Sequence, residues 1–141
     1  MSDFRVAGSV RQAMTDSATS LLDAGGGPGE LRLFAGAPPA SVDAFLTDQT
    51  MLGGLVLSVP AFQPADASGQ AVANPLQADT GAAATGEATF FRLLDAQGTA
   101  LFQGDVSAVD AGGDLELNTT VVQAGVEIIV TEFTLTLPEV A

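Results

Sequence analysis

The run Ala88-Thr-Phe-Phe-Arg-Leu-Leu-Asp95, carried through Ala96-Gln97-Gly98 into Ala100-Leu-Phe-Gln-Gly-Asp-Val106, reads as two β-strands joined by a short Gly-containing turn, a hairpin. Successive side chains of a strand point to opposite faces, so Phe91 and Leu93 stand on one side and Phe90 and Leu94 on the other. Apolar residues on both faces predict a two-sided environment, one side against a second sheet and the other against a subunit. Arg92 lies in the middle of this strand, and two readings stay open for it: simple exposure, or burial with an acid of a neighbouring strand or subunit as its partner.

Working outward, the chain continues mainly as β. Leu115 and Leu117, then Val121-Val122, suggest short strands separated by turns. The last run, Val126 to Leu137, reads as a strand, with Phe133, Leu135 and Leu137 alternating with Thr134 and Thr136. Toward the N-terminus, Leu31 and Leu33 alternate with Arg32 and Phe34 in a first strand that stops at Gly36 and Pro38-Pro39. Leu52, Leu55, Leu57 and Val59 outline a second, closed by Pro60, with Phe62 placed to plug the end of a core.

Two segments break this pattern. Val6, Val10, Met14, Ala18 and Leu21 or Leu22 recur at helical spacing, which predicts an amphipathic helix over Ser9–Asp23 that packs its apolar stripe on the body or on a neighbour. Gly25-Gly26-Gly27-Pro28 ends it. The stretch from Gln63 to Gly86 is rich in Ala, Gly, Asp, Thr and Pro, with a short strand at Gln70–Ala73; it is expected to be an extended loop on an exposed face or wrapped over a neighbour. The organisation is therefore a helical arm and Gly-rich linker over 1–29 and a β domain over 30–141 with a long loop at about 63–86. The fold class is mainly β, an antiparallel β-sandwich or jelly-roll-like domain with a short N-terminal α-helix.

Composition narrows the chemistry. The chain has no His, Cys, Trp or Tyr, and no Lys; seventeen acids stand against four arginines, for a formal charge of −13. No group that titrates near neutral pH is present to activate a Ser or Thr nucleophile, and without Lys a phosphate-binding P-loop is excluded. An enzyme is not expected, and no cofactor. Nucleic acid is disfavoured as a partner, because affinity for phosphate comes from Lys and Arg, here only Arg5, Arg11, Arg32 and Arg92. No run approaches the ~20 apolar residues of a membrane-spanning helix, so no membrane anchor is expected. Asp110, Asp114 and Glu116 in a Gly-rich turn are a candidate calcium site, set against the alternative of a charged strand edge. Interface candidates, chosen for apolarity and position, are Val10, Met14, Phe90, Phe91, Arg92 and Phe133.

The order of features also resembles a known group. Leu21-Leu-Asp-Ala-Gly25 followed by Leu31-Arg-Leu-Phe34 and Gly36-Ala-Pro-Pro39, Ala73-Asn-Pro75 leading through Thr85-Gly86 to Ala88–Asp95, and Asp114-Leu-Glu-Leu-Asn-Thr-Thr120 with Val130-Thr-Glu-Phe-Thr-Leu135 are similar to the pattern of small head decoration (cement) proteins and related virion structural proteins of tailed bacteriophages. These are strand and turn patterns covering most of the chain, with Phe90 near a position where many members carry Trp. The resemblance implies a capsid-associated structural protein that is made in the host cytoplasm and sits on the outer surface of the head. Its implied partners are the major capsid protein and copies of itself, often as a trimer, and it transfers no catalytic residue. The alternatives are a tail or head-tail connector protein, or a non-viral acidic β adhesion or binding module.

Overall fold

The structure, a computed structural model, describes residues 7–77, 81–108, 115–117, 120–128 and 130–136. Helix α1 (Gly8–Ser20) runs into a single 3-10 turn (Leu21–Asp23) and is followed by β1 (Glu30–Ala35), β2 (Thr50–Val56), β3 (Gln70–Val72), β4 (Gly86–Glu87), β5 (Phe90–Leu94), β6 (Ala100–Ala108), β7 (Leu115–Leu117), β8 (Val121–Val122) and β9 (Val130–Thr136). A seven-stranded sheet has the order β2-β1-β5-β6-β7-β9-β3, and β4 pairs with β8. Within the sheets β6 and β7 are parallel, and the other pairs are antiparallel.

The sheet curls. Val56 at the end of β2 bridges Gln77, and Phe62 bridges Ala73, so the segment that follows β3 at one edge reaches back to the strand at the other. The result is a mainly β, antiparallel, sandwich-like domain with one short N-terminal helix, and not a closed barrel. The concave side holds the core: Leu31 and Leu33 stand opposite Leu93 and Phe91 across β1 and β5, and Leu52, Leu55, Leu115 and Phe133 join them. Phe133 receives Phe62 and Phe91 edge-on, at centroid distances of 5.5 and 5.2 Å. Each such side chain contributes roughly 1.5–3 kcal/mol by leaving water, and the core they build fixes the orientation of the opposite face.

The hairpin reading holds: β5 and β6 pair with Leu93 opposite Phe102 and Arg92 opposite Gln103. The expected occupant of its second face does not. Phe90 stacks on Phe34 at 5.1 Å and 13°, and both lie under the chain's own loop 36–49, which takes the place assigned to a subunit. Polar anchors hold that loop down. Gln103 donates to the Pro39 carbonyl at 3.0 Å, and Thr89 donates through its hydroxyl to the Gly36 carbonyl at 2.6 Å. Gly36 itself sits at φ +105°, where a side chain would be strained, and this lets the chain leave β1 and turn over the face.

Two further segments add detail. The Ala-rich stretch lies at the surface, with most of its described residues exposed, and anchors on its own chain: Ala65, Ala71 and Ala82 are buried, β3 pairs with β9, and the Ala83 N–H donates to the Leu52 carbonyl at 2.8 Å. Small side chains there permit close backbone approach, which supplies hydrogen bonds in place of apolar bulk. The last strand begins at Val130 and not at Val126, because Gly125 at φ +83° and the bond from the Val126 N–H to the Gln123 carbonyl close a turn first.

Candidate functional site

Helix α1 docks through its polar side. Gln12 donates to the Ala65 carbonyl at 2.8 Å and Thr15 donates to the Gly69 carbonyl at 2.9 Å. In return Asp16 accepts the Ala65 N–H at 2.7 Å, and Asp23 in the 3-10 turn accepts the Ala61 N–H at 3.0 Å. Thr15 is 0% exposed. The reason lies in the seat. Segment 61–70 presents backbone donors and acceptors that would cost about 1–3 kcal/mol each if buried without partners, and only polar side chains can satisfy them.

The seat is itself built by a turn. The Asp66 carboxylate accepts the Ser68 hydroxyl at 2.6 Å, the Ser68 N–H at 3.0 Å and the Gln70 N–H at 3.1 Å, while Gly69 takes φ +81°. The Ser68 hydroxyl first, then the Gln70 N–H, hold the Asp66 carboxyl below its ordinary value of 3.8. This turn aims the Gly69 carbonyl at Thr15.

The expected apolar stripe divides: Val10 and Met14 face outward, on the side left for a neighbour and not on the body, while Leu22 at its end is buried in the core. Val10 is 47% and Met14 41% exposed, Leu21 is exposed beside them, and Val6 lies outside the described residues. Ser9, Val10, Ala13, Met14 and Ser17 line one shallow, mostly apolar surface.

A second feature lies on the outer face of the sheet. Arg32 of β1 and Arg92 of β5 occupy directly opposed positions. Arg92 is only 6% exposed, and its partners are neutral: Nε donates to Gln103 Oε1 at 2.9 Å, and Nη2 to the carbonyls of Ser41 and Ala44 at 3.1 and 3.0 Å. The acid partner considered for a buried Arg92 is absent among the described residues. Arg32 donates through Nε to Glu30 Oε1 at 2.5 Å. Both arginines line a recess of about 440 Å³, with Phe34, Leu94 and the loop residues Val42 to Leu46 around it. Phe45 on its rim is 92% exposed.

Of the interface candidates, Val10 and Met14 lie on the surface, whereas Phe90, Phe91 and Phe133 are buried in this chain and present no outer face, and Arg92 is buried except toward the recess. The aromatic ones were consumed by the core and by the loop-covered face. Asp110 and Asp114 of the candidate calcium site lie outside the described residues, and Glu116 falls in β7. Among the described residues no group of three or more His, Cys, Asp or Glu is placed to hold a metal, and no helix is long and apolar enough to cross a membrane. Gln12, Thr15, Asp16, Arg32 and Phe45 were not singled out from sequence. Thr15 and Thr19, four apart on one helix face, are the trace that the docking side left there.

Comparison with family models, with curated proteins and with solved structures finds no match to this chain.

Proposed function

We propose that the protein is a virion structural component, a decoration protein that binds the outside of a tailed-phage head and stabilises the shell. The observation that carries this reading is the helix whose polar side is committed to its own body and whose apolar residues, Val10 and Met14, are turned to the surface. An apolar helix stripe is a usual element of protein-protein recognition, read through residues spaced by three and four. The strand and turn patterns that resemble cement proteins supply the partner, the major capsid protein. A chain that binds only the assembled shell stabilises it by mass action, with no chemistry required of its side chains.

Cryo-electron microscopy of purified particles tests the assignment. Density for this chain at the three-fold points of the outer shell is expected; density confined to the tail, or no density, overturns it. Met14→Glu is expected to lower occupancy on particles at least about tenfold, the consequence of burying an unpaired carboxylate in the interface. Its circular dichroism and melting temperature should stay unchanged, because Met14 lies on the surface of the free chain.

A further inference from the structure

We propose that the recess over Arg32 and Arg92 is a binding site for a carboxylate borne on an apolar group. Like charges placed directly opposite across two strands repel, and the pairing of Arg32 with Arg92 gathers two of the chain's four cations over one recess. The donors for such an anion exist. Arg32 spends only Nε, on Glu30, and Arg92 spends Nε and Nη2, so both Nη groups of Arg32 and Nη1 of Arg92 have no acceptor among the described residues. Arg92 is held rigid by Gln103 and by two loop carbonyls, which positions its guanidinium before any ligand arrives.

Local charge selects the class of anion. Glu30 pairs with Arg32 and Asp43 lines the same recess, so two carboxylates already offset the two guanidinium groups. A single negative charge is accommodated there, whereas a doubly charged phosphate meets the excess of negative charge on the chain. The planar guanidinium fork matches a carboxylate in two-point contact. The remaining lining, Phe34, Leu94, Val42, Leu46 and the exposed ring of Phe45, calls for an apolar body behind that charge. A volume of about 440 Å³ lies in the range, roughly 300–1,000 Å³, that encloses ligands of such size.

The full chain is titrated by calorimetry and by the arginine Nε–Hε NMR signals with 3-phenylpropionate and its amide, and with a short peptide ending in Phe, carrying a free or an amidated C-terminus. The carboxylate forms are expected to bind at least about tenfold more tightly than the amides, as charge-assisted hydrogen bonds require, and to move the Arg32 and Arg92 signals. Tighter binding of the peptide assigns the site to a protein partner and tighter binding of the small acid to a metabolite-like ligand; both support the site. Arg92 variants risk losing the loop, so Arg32→Gln is the decisive variant, expected to abolish the preference for acid over amide while the fold is retained. Equal binding of acid and amide, no binding of either acid up to about 10 mM, or an undiminished preference in Arg32→Gln overturns the proposal.

Discussion

At Gly29 an added methyl group would lie 2.5 Å from the Leu94 carbonyl oxygen and 3.3 Å from that of Leu22, both fixed backbone atoms. Gly54 offers a contrast, since a methyl group there would meet Glu30 Oε2 at 2.7 Å, the far end of a side chain whose partly exposed ion pair with Arg32 can readjust. Gly29→Ala is therefore expected to destabilise by about 1–3 kcal/mol, whereas Gly54→Ala should stay within about 0.5 kcal/mol of the parent. Urea denaturation of the two variants side by side checks both, and equal effects would show that the linker yields where the static geometry says it cannot. The residue scale also shows why Gly29 escaped attention in the sequence. Within Gly25-Gly26-Gly27-Pro28-Gly29 every glycine looks like helix termination, and only the tertiary approach of β5 to the linker singles one out.

The helix and its seat behave as a unit whose stability depends on acidity. The hydrogen bonds to the Asp66 carboxylate lower its pKa on folding, so their contribution is fully present above the unfolded value and is lost as pH falls through the lower, folded one. Acidification below the ordinary carboxylate range should therefore loosen the turn that presents Gly69 to Thr15. Asp66→Asn keeps an acceptor oxygen but removes the titration, and its melting temperature is expected to fall less steeply with acid than that of the parent. Parallel pH profiles for the two proteins would remove Asp66 from the account. The span of this helix was legible from periodicity, Ser9–Asp23 against Gly8–Ser20 plus the turn to Asp23. Its docked side was not, because the partners of Gln12, Thr15 and Asp16 are backbone groups of segment 61–70, and backbone groups leave no mark in a pattern of side-chain polarity.

For the molecule as a whole, the core turns on Phe133, which touches the rings of Phe62 from the loop region and Phe91 from β5 and so ties distant parts of the curled sheet together. Phe133→Ala should cost about 3–5 kcal/mol, whereas Phe45→Ala, at an exposed ring, should cost almost nothing; a thermal melt of each distinguishes them. The β character, the hairpin of β5 with β6 and the strand at 70–72 could be read from local alternation and turn residues. The order of strands could not. Pairing of β3 with β9, and of β6 with β7 in parallel, joins segments whose sequences carry no complementary signal, and the curl that brings Val56 to Gln77 is a property of the assembled sheet. The recess between Arg32 and Arg92 shares that origin, since opposed arginines become visible only once β1 is known to lie beside β5.

The seat of the helix has a consequence for biogenesis. Asp16 waits for a partner 49 positions downstream, and the segment bearing that partner leads into β3, which is itself clamped by β9 near the other end of the chain. A helix of 13 residues is marginal on its own in water, and ribosomes add only about 5–20 residues per second. The helix therefore cannot reach its seat until residue 65 has been added, and the strand beside that seat has no partner until β9 follows.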